Sequence, residues 1–224
     1  GVAFKEPMAR LRETILITKA LLAGEKVTHQ GRMFNLSDAS LGAATPADRV
    51  PVFIAALGPR MLELAGELAD GVLLNWTASD YLRQAIQQIG NGAAKAGRDP
   101  SEIVIGGYVR VAVGDDVGSA RLELQREIAG YAGNYFYRSF FEQTGFSKEM
   151  AAAQAATERG DAAAAASAIT QEMQDQVAVV GSPAHCQREV EKRRSLGLQL
   201  PVIAPFPVGD VMTSYKRTIE AFGG

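Results

Sequence analysis

Residues 50–76, VPVFIAALGPRMLELAGELADGVLLNW, constrain the fold more than any other stretch. An unbroken apolar run over residues 52–57 has the length of a strand, and Gly58-Pro59 ends it. Met61, Leu64, Ala65 and Leu68 then recur at helical spacing until Asp70-Gly71, after which Val72-Leu73-Leu74 is a second apolar run. Neither run alternates with polar residues, so both strands should be covered on two faces, as in a parallel sheet with a crossover helix. The break suits a ligand. Gly58 lets the backbone come close to a bound group, and Pro59 fits the first helical position. The N–H groups of Arg60 and Met61 are expected to point out of the helix start toward an anion. Ala55 and Ala56 leave room for something flat. The plainer reading of the same residues is an ordinary strand-to-helix turn.

The rest of the chain repeats the strand-then-helix order. Residues 7–23 read as a helix ended by Gly24, residues 27–34 as a small hairpin turning near Gln30-Gly31, and residues 35–49 as loop. Helices are expected over 80–96, 119–141 and 150–176, the last interrupted near Gly160-Asp161, and over 184–196 and 210–222. Strands are expected over 102–113 and 201–205, and the run Val177-Ala178-Val179-Val180-Gly181 leads into the helix that follows it. Alternation of this kind argues an α/β fold with a parallel sheet. No repeat or linker interrupts it, so residues 1–224 read as one domain.

The pattern strand-Ala-Ala-x-Gly-Pro-Arg-Met-Leu-x-Leu-Ala-Gly-x-x-Ala-Asp-Gly-Val resembles the centre of the luciferase-like oxidoreductases, and most of all their branch that uses the deazaflavin coenzyme F420. The resemblance continues through Gly24-Glu25-x-Val27, Gly31-Arg32-x-Phe34, Tyr135-x-Tyr137-x-x-Phe140 and Val179-Val180-Gly181-Ser182-Pro183. It implies a TIM-type (β/α)8 barrel of which this chain holds about strands five to eight. It also implies hydride transfer between the deazaflavin and a small organic substrate. Within the same superfamily the alternative is an FMN monooxygenase; outside enzymes it is a non-catalytic half-barrel scaffold. The family's acid–base residues belong to its first four strands, so no catalytic residue is assigned in this chain. The bare edges of a four-stranded sheet are expected to drive self-association.

On this reading Ala55, Ala56, Leu57, Gly58, Pro59 and Arg60 hold the coenzyme, joined by Asn75 and Trp76 at the end of the next strand. A barrel carries its ligands at that end of its strands. The alternative for Asn75-Trp76 is a turn residue beside a Trp that closes the core. Tyr137 and Arg138, within the aromatic band 131–141, could line a substrate mouth; the same band could equally be core. His29 and His185, the two histidines, have no partners at ligand spacing, so no metal site is expected. The single cysteine, Cys186, reads as a structural thiol. Gly106-Gly107 reads as tight packing within a strand rather than a phosphate loop. A net charge of −2 with 21% charged residues gives no sign of nucleic-acid binding, and no apolar run approaches a membrane span. A cytoplasmic protein is the expectation.

Overall fold

The computed structural model describes residues 5–223. Contacts gather into two compact units, Gly1–Leu73 with Ala85–Ile105, and Leu74–Gln84 with Gly106–Gly224.

In the first unit, helix α1 (Pro7–Leu22) starts on its proline, as the sequence suggests. A hairpin follows, strands β1 (Val27–Gln30) and β2 (Asn35–Ala39), paired antiparallel. The second arm therefore lies in residues expected to be loop. The reason is a long-range partner: the carboxylate of Glu13 on α1 accepts the backbone N–H groups of Arg32, Met33 and Phe34 at 2.9–3.2 Å. Those N–H groups fix the turn at 31–34, beyond the point where Gln30-Gly31 would place it. His29 adds a 3.1 Å contact to the same carboxylate. Burial alone would raise the Glu13 pKa, but the bonds from His29 and the three amides outweigh it and hold the group below its ordinary value.

Strand β3 (Phe53–Ala55) leads through Gly58 into α2 (Pro59–Leu68) and on to β4 (Gly71–Leu74). β3 and β4 pair in parallel, Ile54 opposite Val72, which is the βα-strand unit read from residues 50–76. Leu62, Leu64 and Ala65 of α2 are buried, as are Ile54 and Val72. Helix α3 (Ser79–Lys95) contributes its second half to this unit. There α2 and α3 meet backbone to backbone. A Cβ on Gly66 would lie 1.9 Å from the carbonyl oxygen of Ile89, and one on Gly92 1.9 Å from that of Glu63. No other residue lets the helices approach so closely.

Asp70, just before β4, ties this unit together. Its carboxylate accepts from Lys19 at 2.9 Å, from Arg49 at 2.5 Å and from the Val52 N–H at 2.8 Å. Burial would raise its pKa; the Lys19 and Val52 bonds and the two cations together hold it below the usual range.

In the second unit, β5 (Val104–Val113) is the central strand from Gly106 onward. It runs parallel to β6 (Ala178–Gly181) and to β7 (Leu200–Pro205). Arg110 and Val111 have partners in both, so β6 and β7 flank β5 on opposite edges. The expected neighbours at 102–113 and 201–205 are thus adjacent, with β6 as an added strand on the other side. Gly107 is tightly packed: a Cβ there would lie 2.6 Å from Thr77 Cγ2 and 3.2 Å from Leu198 Cδ1.

The helices of this unit are more finely divided than their composition suggests. The expected helix at 119–141 is α4 (Val117–Gly130) and α5 (Tyr135–Gln143), separated where Asn134 caps α5 through the N–H of Phe136. The expected helix at 150–176 is α6 (Ser147–Glu158), α7 (Ala162–Ser167) and α8 (Gln171–Val177). Gly160, at φ 73°, makes the anticipated break. Thr170, capping Met173, makes a second one that the Ala-rich sequence masks. Helices α9 (Pro183–Ser195) and α10 (Val211–Phe222) start on the caps Ser182 and Asp210. Leu124, Ile128, Phe141, Met150, Ile169 and Met173 form the core of these helices. Among the described residues no helix is long and apolar enough to cross a membrane.

Candidate functional site

The two groups of residues expected to hold a ligand fall in different units, Ala55–Arg60 in the first and Asn75, Trp76, Tyr137 and Arg138 in the second.

At the end of β3, Ile54 turns inward and Ala55 is left exposed, because side chains alternate along a strand. Ala56 is buried, Leu57 and Gly58 are half-buried, and Pro59 and Arg60 are exposed. Gly58 has φ −86° and ψ 157°, ordinary extended backbone, and a Cβ there would meet nothing within 4 Å. Neither conformation nor internal packing calls for glycine at this point. The helix start is less open than its sequence suggests. The N–H groups of Met61 and Leu62 both donate to the Gly58 carbonyl at 3.0 Å, so of the two amides expected to face an anion, only that of Arg60 is left. Arg60 also makes no ion pair among the described residues. A cation in the first turn opposes the helix dipole, so helix stability does not explain it.

In the second unit Asn75 follows directly on β4. Its Oδ1 accepts from the Trp76 N–H at 3.0 Å and from Arg110 Nη1 at 2.7 Å, and its Nδ2 donates to the Tyr137 hydroxyl at 3.1 Å. Arg110 lies in β5, where Tyr108, Arg110 and Ala112 share one face of the strand by the two-residue repeat. Its Nε donates to Glu127 at 3.1 Å. Arg110 carries a role that the sequence reading missed. The signal was there, two polar-headed residues spaced by two in an otherwise apolar strand.

Trp76 takes the plainer of its two readings. Its side chain is 0% exposed, set edge-on against Tyr131 and Phe141 at 5.5 and 5.6 Å. The Arg110 guanidinium lies over the indole, 3.5 Å from the ring centroid. The indole's buried Nε1 has no partner among the described residues. Trp76 also has φ 52°, a left-handed conformation that strains a bulky residue by roughly 1–3 kcal/mol. The turn is held by Thr77. Its hydroxyl donates to the Tyr108 carbonyl at 3.1 Å, and its carbonyl accepts from the buried Arg193 at 3.2 Å. Arg193 donates further to the carbonyls of Glu189 and Gln176, so it positions the turn and is not a ligand group. In its charged helix nothing distinguishes it from Arg188 or Arg194.

The aromatic band divides. Phe140 and Phe141 are core, while Tyr135 and Phe136 are exposed. Tyr137 packs on Tyr131 at 4.5 Å with its hydroxyl on Asn75. Arg138 donates to the Ala132 carbonyl and lies 3.7 Å from Glu142, so it is tied to its own helix. Cys186 is fully buried with its thiol on the Gly181 carbonyl, and burial raises its pKa to about 11, which leaves it unreactive at neutral pH.

Among known proteins, the chain is 32% identical over 212 residues to the 5,10-methylenetetrahydromethanopterin reductase of Methanolobus tindarius, covering 93% of this chain and 64% of that protein. It is 28% identical over 227 residues to the enzyme of the same name from Archaeoglobus fulgidus, covering 100% and 67%. Its fold matches the coenzyme F420 dependent tetrahydromethanopterin reductase from Methanopyrus kandleri with a TM-score of 0.75 at 22% identity, over 95% of this chain and 61% of that one. The chain thus spans about two thirds or less of the length of these relatives. Residues 1–200 match the sequence profile of the luciferase-like monooxygenases, and the chain belongs to that family.

Proposed function

We propose that the protein is a coenzyme F420-dependent oxidoreductase, transferring hydride between the deazaflavin and a small organic substrate. Similarity to a relative named as F420-dependent, 34% identical over 101 residues, supports this, as does similarity to the methylenetetrahydromethanopterin reductases. In the same reading the parallel strands β3, β4, β5 and β7 are strands five to eight of a (β/α)8 barrel, and the protein is a single-domain, cytoplasmic homo-oligomer. Exposed Met212 and Ile219 on α10 are consistent with association.

The observation that carries the coenzyme reading is the start of α2. An arginine with no ion-pair partner among the described residues sits where a cation weakens the helix, beside a glycine whose added Cβ would meet nothing. An anionic group approaching Gly58 accounts for both, and the Arg60 N–H and guanidinium would bind it. Ala55 offers a bare methyl to a flat ring, with Ala56 and Leu57 backing the strand end and Pro59 fixing the helix entry. When bound, the deazaflavin supplies the hydride chemistry. In the second unit Tyr137 would face substrate, with Arg138 bracing that helix.

Titrating the protein with F420 and with FMN tests this. Tight binding of F420 is expected; preference for FMN would favour a monooxygenase, and binding of neither would end the enzyme reading. Gly58→Val should weaken F420 binding by about a hundredfold or more, since a branched side chain blocks backbone approach, with the melting temperature little changed. Unaltered affinity would reduce the loop to a helix start.

A further inference from the structure

Hydrogen-bonding capacity around Arg110 is used unevenly. Both acceptor sites of Asn75 Oδ1 are filled, by Trp76 N–H and Arg110 Nη1. Asn75 Nδ2 has given one hydrogen to Tyr137, and Arg110 Nε has given its hydrogen to Glu127. What remains is one hydrogen on Asn75 Nδ2, one on Arg110 Nη1, two on Arg110 Nη2 and the hydroxyl hydrogen of Tyr137. The leftover N–H groups can only donate. Arg110 Nη2 has no partner among the described residues and is not one of the enclosed unpartnered atoms. The guanidinium is also fixed in place, stacked on the buried Trp76 and pinned at Nε and Nη1.

A rigid fork of donors fits a group that only accepts. We propose that Asn75, Arg110 and Tyr137 form a recognition site for a carboxylate of the substrate, with Arg110 as the specificity-determining residue. Arginine meets a carboxylate with two parallel bonds. Glu127, already on Nε, offsets part of the charge, so a monoanion is preferred to a phosphate dianion. The coenzyme's anion is left to Arg60. The assignment to substrate, rather than coenzyme, rests on the function proposed above; the oxyanion chemistry does not.

Benzoate, inorganic phosphate and F420 serve as probes, followed by titration calorimetry and by tryptophan emission, since Trp76 is the one tryptophan of this sequence. Benzoate should bind saturably and more tightly than phosphate. Arg110→Gln should weaken benzoate by at least about tenfold, the scale of a hydrogen bond to a charged group, and leave F420 affinity within about twofold. Tyr137→Phe, which leaves the ion pair intact, should weaken benzoate by about threefold and serves if Arg110→Gln fails to fold. No saturable benzoate binding, or equal binding by a folded Arg110→Gln protein, overturns the site. Loss of F420 affinity in place of benzoate affinity overturns the assignment to substrate. Benzoate binding that depends on Arg110 in a protein that ignores F420 upholds the site and removes only the coenzyme reading.

Discussion

The two ends of β4 carry polar networks of opposite character. At the start, Asp70 is held from within the chain: two cations and a backbone amide donate to its carboxylate. At the end, Asn75 and Arg110 are half-used, and all that they have left are donors. A carboxylate held on both oxygens by donors of its own chain holds structure. On the site proposed above, a network that stops short, at the end of a strand where barrels carry their ligands, would have donors to spare for a ligand.

Substitutions at three positions would break or sharpen this contrast. Asp70→Ala should have the largest effect, destabilising the protein by about 3 kcal/mol in urea denaturation. Ligand affinity of the folded molecules should not change; reduced affinity at full folding would erase the distinction. Acid gives the same network a second test. Asp70 has a lowered folded pKa, so its contribution is complete above the unfolded value near 4 and fades as pH falls through the folded one. Asp70→Asn should therefore flatten the acid limb of the stability curve and leave the neutral-to-alkaline slope alone. Next is Gly92→Ala, which drives a methyl into the Glu63 carbonyl and should cost about 2 kcal/mol; a neutral result in thermal melts would mean that α2 and α3 can separate freely. The smallest stability change should come from Asn75→Ala, about 1 kcal/mol. It should weaken benzoate binding severalfold. A large loss of stability with intact binding would reassign Asn75 to the class of Asp70.

Part of the fold was readable because β4, buried along most of its length, leaves the unbroken apolar run at 72–74; β3, expected to be covered on both faces, buries only Ile54 and leaves Phe53 and Ala55 exposed. What escaped the sequence depended on partners far along the chain. The second arm of the hairpin follows from Glu13, some twenty residues away. Gly58-Pro59 was legible from local turn chemistry as the break before a helix start. Met61 was misread because the N-cap carbonyl captures its N–H, a bond that belongs to the helix start itself. Trp76 could not be assigned to core or ligand until its burial and Arg110 were seen together. Arg110 itself was hidden by its place in a strand that otherwise reads as core.

The contact of α2 with α3 has a consequence for binding entropy. With two glycines at the crossing, the helices meet main chain to main chain at that point. The far end of α2 carries Gly58, Pro59 and Arg60, so that loop is mounted on a stiff base. On the function proposed above, a ligand arriving there would find its backbone contacts already ordered and lose little to freezing them. The same stiffness ties the position of the loop to the helix pair beneath it, so even a substitution in α3 that spares every ligand contact can alter affinity.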